Sequence, residues 1–322
     1  GDILFRPTTL TPDLTTESIY QPAAFSHKDE DASAGYYSVV LKEEGIKAEL
    51  TVTAHAGMHR YTFPSGKEAS IIIDLTHLLD NEYIYEAELE QTAANEITRG
   101  WTDNQYVYFV AQFSKPFQAI DFIQNKKMVS AGVKLNGTDL QACLSFDNSN
   151  GEPVIAKVGL SIVSEKNARE NLETEVIGFD FDAVRSAARS AWEQALSAIT
   201  VKGGNTDDLK NFYTAMYHSM VVPNVVSDVN GEYRRHNMEI GQLPKGKVQY
   251  STFSLWDTYR AFHPLLNLVN QPLQANIANS MLAHYDKSVE KMLPIWSFYG
   301  NETWCMIGYH AVSVLADMIV KG

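Results

Sequence analysis

Two periods divide this sequence. Over roughly the first 180 residues apolar and polar positions alternate; beyond that, apolar positions recur every three or four residues. In AELTVTAH (48–55), Leu50 and Val52 share one face while Glu49, Thr51 and Thr53 share the other. That is a period of two with one wet face. Similar short runs lie at 35–41, 46–57, 59–64, 69–76, 84–91, 96–102, 105–113 and 154–163, each followed by a turn or a charged break. Strand signals recurring about every ten residues predict an antiparallel β-sandwich. NGTDL (136–140) and NSNGEP (148–153) supply turn chemistry.

The period changes in FDFDAVRSAARSAWEQALSAI (179–199), where Ala183, Ala187, Leu196 and Ile199 suit a helix that Asp182 would cap. Gly203, Gly204 and Asn205 end it. A second helix follows, with Leu209, Phe212, Met216 and Met220 on one face, and with Thr206, Asp207 and Asp208 complementing its dipole. Further helices are expected at 252–269, 273–291 and 302–321, with Pro272 suiting a helix start. Residues 226–249, with turns at Asn230-Gly231 and at 244–246, read as a long loop or short hairpin, a kind of connection that is often functional. The expected chain has two domains, β then α. A sandwich covers 1–180, a linker helix 181–202, and an incomplete helical domain 203–322.

Composition narrows the partners. The 322 residues are 45% hydrophobic and 20% charged, and no apolar run approaches the ~18 residues of a membrane span. With 26 basic against 39 acidic residues the net charge is −13, which argues against nucleic acid or an anionic membrane. Two cysteines, Cys143 and Cys305, are too few for a disulfide framework or a thiolate zinc site. The sequence opens on GDILFRPTT, without Met or a signal-like segment, directly on a strand-like stretch at 3–5. Its last residues read as helix, so both ends are expected to be cut.

The stretch YSTFSLWDTYRAFHPLLNLV (250–269) sets Trp256, Asp257, Arg260 and His263 at or near an expected helix start. The plain reading is a helix capped by Thr252 or Ser254, with Trp256 in the core. The chemical reading is a sugar site: an aromatic face lies under the C–H-rich side of the ring, and a carboxylate accepts from hydroxyls. A helix dipole would keep Asp257 ionised, and Arg260 could hold it. FYGNETWCMIGYH (298–310) repeats the pattern, with a turn at Gly300-Asn301 and with Glu302, Trp304 and Cys305 clustered where a helix should begin. It is either another capped helix or a second wall of the same pocket, with Asn301 and Glu302 bonding hydroxyls.

Other candidates read more plainly. Asp29, Glu30 and Asp31 lack the calcium-loop spacing and read as a solvated acidic loop. Arg99 and Trp101 read as interface packing at a strand end, with ligand contact as the alternative. His55, His59, His77, His263, His284 and His310 show no H-E-x-x-H spacing, and His310 reads as a packed core residue.

YSTFSLWDTYRAFHPL and YGNETWCMIGYHAVSVLAD resemble signature segments of the glycoside hydrolase family 92 α-mannosidases. HKDEDASAGYYSV, IKAELTVTAHAGMHRYTFP and VGLSIVSEKNARENLETE resemble that family's N-terminal domain. The likeness runs along nearly the whole chain. It implies a β-sandwich followed by the first helices of an (α/α)6 barrel, in an exo-acting, inverting enzyme that needs Ca2+ and removes terminal α-mannose from glycans through α-1,2 or related linkages. It also implies export to the periplasm or surface of a bacterium.

The resemblance places Trp256 and Asp257 at the terminal mannose, with Asn301, Glu302 and Trp304 as further contacts; Arg260, beside Asp257, is a further candidate for substrate binding. It places the catalytic acid, the base and most calcium ligands beyond Gly322, so the segment alone should be inactive. Inversion needs two carboxyl groups about 6.5–9.5 Å apart, but the resemblance gives Asp257 and Glu302 binding roles rather than that pairing. Two other classes stay open. A non-catalytic carbohydrate-binding β-sandwich module with a helical appendage would bind sugar through residues 1–180 alone. In a scaffold protein, Trp256 and Asp257 would matter for stability only.

Overall fold

The computed structural model describes residues 3–10, 22–77, 84–102, 106–129 and 134–321, without the side chains of 99–102. Arg99 and Trp101 therefore lie outside the described side chains. The chain divides into two compact units, 1–189 and 190–322.

The first unit is antiparallel β. Its strands are β1 (Leu4–Thr8), β2 (Glu30–Ser33), β3 (Tyr36–Leu41), β4 (Ile46–Val52), β5 (Ala56–Thr62), β6 (Ala69–Asp74) and β7 (Glu86–Ala93). They continue with β8 (Glu96–Thr102), β9 (Tyr106–Phe113), β10 (Ala119–Gln124), β11 (Lys127–Val129), β12 (Leu135–Gly137), β13 (Leu140–Phe146) and β14 (Val154–Ser161). Among the described residues they form a five-stranded sheet, β1-β6-β13-β10-β11, and a nine-stranded sheet, β12-β7-β8-β9-β14-β5-β4-β3-β2. Alternate residues of both sheets make one core: Ile71, Ile73, Phe122 and Leu144 from the smaller sheet meet Leu89, Ile97, Phe109 and Phe113 from the larger. Area removed from water at ~25 cal/mol per Å² drives that closure.

The expectation of β structure to residue 180 misses a helix, α1 (Glu165–Glu175). Ser164 caps it, accepting from the Asn167 N–H at 3.1 Å. Ala168, Leu172 and Val176 repeat every four residues and pack on Met58, Val110 and Tyr36 of the nine-stranded sheet. Gly159 on β14 permits this approach, since a Cβ there would meet Leu172 Cβ at 2.6 Å. Helix α2 (Phe181–Leu196) adds Phe181 and Val184 to the same cluster. Asp180, rather than Asp182, receives its opening N–H, from Ala183 at 3.0 Å.

Those helices correct the expectation of a wet face on β4. Glu49 and Thr51 are buried. Arg60 clamps Glu49 through two hydrogen bonds of 2.8 Å and reaches Asp182 at 2.9 Å, with its guanidinium over the Phe181 ring. In the acidic stretch at 29–31, Asp29 and Asp31 are exposed, as expected, while Glu30 is half-buried, accepting from Tyr37 at 2.6 Å and bonding His27 at 2.6 Å.

Two ion pairs with buried carboxylates make this unit sensitive to acid. Hydrogen bonds from Arg60 hold Glu49 down at about 2. For Glu96, burial pushes upward, but bonds from Arg169, Thr92 and Gln112 outweigh it and leave the group at about 2. Both folded values lie below the ordinary 4.5. Their stabilisation is therefore complete above that pH and is lost as pH falls from there towards 2. Urea midpoints followed by circular dichroism should drop through this window, and Glu49→Gln should flatten the drop.

The second unit is helical with short ribbons. Helix α3 (Thr206–Ser219) opens on a capping box between Asn205 and Asp208. Residues 224–251 hold four short strands, β15 (Asn224–Val225), β16 (Glu232–Arg234), β17 (Ile240–Gln242) and β18 (Tyr250–Ser251). β16 pairs β17 and β15 pairs β18, so the expected short hairpin is present. Next come α4 (Leu255–Thr258), α5 (Phe262–Val269), α6 (Gln271–Lys287), the ribbon β19 (Ser297–Phe298) and β20 (Asn301–Glu302), and α7 (His310–Lys321). Phe253, Leu255, Leu266, Ile277, Met281, Ala311 and Val314 form the core of this unit.

Two expected helices are corrected here. The single helix at 252–269 is broken at 259–261, because Pro264 has no N–H and its ring would clash with the carbonyl of residue 260 in a continuous helix. The helix expected from 302 begins only at His310. Tyr299 and Gly300 instead close a tight hairpin with Phe298 opposite Asn301, and Trp304 takes a positive φ of 57°.

Candidate functional site

Trp256 and Asp257 sit on α4, a single turn, so little helix dipole acts on Asp257. Both side chains reach solvent, and Trp256 is 37% exposed. Arg260 makes no ion pair with Asp257; its guanidinium lies 5.5 Å from the Tyr259 ring. Ser254 does the holding. Its hydroxyl donates to Asp257 Oδ2 at 2.6 Å and accepts from the Trp296 indole N–H at 3.0 Å. Among the described residues Asp257 Oδ1 has no partner.

One face of Trp256 is set by His310, whose ring meets the indole edge-on at 5.4 Å and stacks on Tyr259 at 4.3 Å with a 7° tilt. His310 is thus packed, as expected, but against the candidate site rather than in the core. Its Nε2 is buried without a partner, and a Cβ on Gly308 would meet it at 2.8 Å.

Glu302 points inward, with its side chain 3% exposed. Oε1 accepts from the Trp296 N–H at 2.9 Å and the Trp304 N–H at 3.3 Å, and Oε2 accepts from the Ile295 N–H at 2.9 Å. The carboxylate ties 295–296 to 304. Below it, His284 Nε2 lies 4.0 Å from Oε2. Burial, then the neighbouring His236, pushes His284 down to about 3, so it is neutral near pH 7 and the contact is no salt bridge. The His236 ring lies against it at 4.1 Å, tilted by 54°, with both ring nitrogens unpartnered. These two rings border a small polar cavity of about 20 Å³, room for about one water. Trp304 is 51% exposed, and Asn301 is half-buried beside Phe298 in the ribbon.

The two sequence segments are thus brought together by Trp296, Ser254 and Glu302. Sequence reasoning names Glu302 as a sugar contact and Ser254 as a cap, and it misses Trp296 and, beneath it, His236. Trp296 lies in PIWSFYG, where an indole beside Pro and Ile reads as core; no local pattern marks its N–H as a donor to Ser254. A larger concavity of about 470 Å³ lies elsewhere, on the first unit, lined by Ser70, Gln118, Asp121, Met128, Cys143 and Ser145. Among the described residues no three His, Cys, Asp or Glu side chains gather into a metal-binding group. They do not fit calcium, which takes six to eight oxygen ligands.

Residues 1–161 match the glycosyl hydrolase family 92 N-terminal domain, and 167–322 match its catalytic domain. A family GH92 α-mannosidase from Bacteroides thetaiotaomicron is 43% identical with a TM-score of 0.92, over all of this chain and 45% of that one. The same enzyme is known in complex with mannoimidazole. A second family GH92 mannosidase of that organism, at 23% identity and a TM-score of 0.86, over 99% of this chain and 43% of that one, shares the fold. An uncharacterized secreted glycosidase of Arthroderma benhamiae is 30% identical over 289 residues, 78% of this chain and 36% of its own. The chain spans less than half the length of these relatives. Its architecture is that of the solved relatives, an antiparallel sandwich followed by helices of an α/α barrel. With both domain models matched along nearly its whole length, the chain belongs to glycosyl hydrolase family 92.

Proposed function

We propose that this chain is part of an exo-acting α-mannosidase that removes terminal α-mannose from glycans with inversion, α-1,2 or related linkages being the substrate class. The observation that carries this reading is the pairing of an exposed indole, Trp256, with a carboxylate, Asp257, whose Oδ1 is left without a partner. The apolar face of a mannose ring would lie on Trp256, and Asp257 Oδ1 would accept from one of its hydroxyls. Trp304, Arg260 and Asn301 would border the same sugar. Glu302 would act through the loop it ties, since its oxygens are already committed to three backbone N–H groups. Neither carboxylate is assigned as acid or base.

The family resemblance supports a calcium requirement, with ligands outside the described residues. The secreted fungal relative supports export, in a bacterium to the periplasm or cell surface. In a chain of the relatives' full length, a terminal α-mannoside should yield β-mannose as the first anomer seen by proton NMR. Chelator should abolish turnover and calcium should restore it. Initial release of α-mannose, or turnover untouched by chelator, would overturn the assignment.

A further inference from the structure

We infer, on the reading that Asp257 accepts from a sugar hydroxyl, that Trp296 and Ser254 are positioning residues: a one-way hydrogen-bond relay from the Trp296 indole through Ser254 aims Asp257 at the substrate.

The direction follows from donor chemistry. An indole N–H can only donate. Trp296 Nε1 lies 3.0 Å from Ser254 Oγ, so the serine oxygen must accept there. The serine proton is then directed to its other neighbour, Asp257 Oδ2, at 2.6 Å, the short range of an O–H···O⁻ bond. Oδ2 is held, and Oδ1 is turned outward with no partner among the described residues. An N-cap serine ordinarily accepts a helix N–H on its oxygen; Ser254 makes no such bond and accepts from the indole instead.

The relay has a fixed anchor. Glu302 accepts the backbone N–H of Trp296 at 2.9 Å and that of Ile295 at 2.9 Å, while Thr303 Oγ1 donates to the Trp296 carbonyl at 2.7 Å. Phe253, just before Ser254, donates its N–H to the Ser297 carbonyl, just after Trp296, at 3.1 Å. Donor and acceptor residues of the relay therefore sit on segments joined by a backbone hydrogen bond. The arrangement gives the GNETW segment a function without requiring Glu302 to touch sugar: it fixes the backbone of the residue that orients Asp257.

A double-mutant cycle in the full-length enzyme separates this from a packing role. Ser254→Ala and Trp296→Phe should each lower kcat/KM on a terminal α-mannoside about tenfold, the loss of one hydrogen bond of ordinary strength. Ser254→Thr, which keeps the hydroxyl, should restore it. In an Asp257→Ala background, Ser254→Ala should have no further effect beyond about twofold, since its only route to the substrate is gone. A full tenfold loss in that background overturns the inference. A second readout needs no activity. In the 15N-labelled chain, the Trp296 indole resonance, assigned by its absence in Trp296→Phe, should shift in Ser254→Ala and exchange faster with solvent. An unmoved resonance overturns the relay itself. A full-length wild-type enzyme inert on α-mannosides would instead sink the functional reading, with the indole resonance still deciding whether the relay exists.

Discussion

Asp257→Ala in the full-length enzyme is expected to lower kcat/KM on terminal α-mannosides by about a hundredfold, roughly 2.7 kcal/mol at 1.36 kcal/mol per decade. The size follows from losing a charged acceptor, whose hydrogen bonds are worth about 1.5–3 kcal/mol each. The fold should barely notice. Asp257 is exposed, and its only described partner is the Ser254 hydroxyl, so denaturation midpoints should move by less than about 1 kcal/mol. That contrast separates a ligand-facing carboxylate from a structural one. Equal activity with lost stability would mean that Asp257 serves the helix turn and nothing else.

Glu302→Ala is expected to do the reverse first. The carboxylate is almost fully buried and accepts from three backbone N–H groups; removing it strands donors that reach water only if the 295–304 loop opens. We expect a loss of about 2–4 kcal/mol in urea unfolding, because each unmet, partly buried donor costs about 1–3 kcal/mol and some of them will rehydrate. Glu302→Gln keeps one acceptor oxygen and should lose less. Activity should fall in both variants as Trp296 and Trp304 lose their fixed backbone. A Glu302→Ala variant with unchanged stability would contradict the role drawn for this residue.

The chemistry near Glu302 also shows why its environment does not make it an ion-pair partner. His284, 4.0 Å away, is held neutral near pH 7 by burial and by His236. His284 gains its proton only in strongly acidic solution, where the depressed pKa values of Glu49 and Glu96 already predict weakening of the first unit.

Much of the architecture could be read from periodicity. Alternation located β3 to β9 and β14, and the helical period located α2, α3, α6 and α7, with errors mostly at their ends. The exceptions have local causes that were visible but outvoted. Ser164 and the four-residue spacing of Ala168, Leu172 and Val176 announce α1, yet they follow so closely on β14 that the segment reads as more sheet. Pro264 announces the break between α4 and α5, but the apolar spacing around it is continuous. Trp304 at a positive φ has no sequence signal, since a left-handed tryptophan is uncommon and is held by what surrounds it.

By itself, then, the sequence determined that strands give way to helices, which residue types could meet a sugar, and that two separate segments each carry an indole beside a carboxylate. Those are properties of nearest neighbours: side-chain period, caps, turn formers and charge. Only the tertiary structure decided that the two carboxylates differ in kind, Asp257 facing water and Glu302 sealed under three N–H groups. Only it showed that Trp296, forty-two residues from Ser254, is the link between them. Hydrogen-bond direction and burial depend on which atoms fold to within about 3 Å of each other. No spacing along the chain encodes that distance.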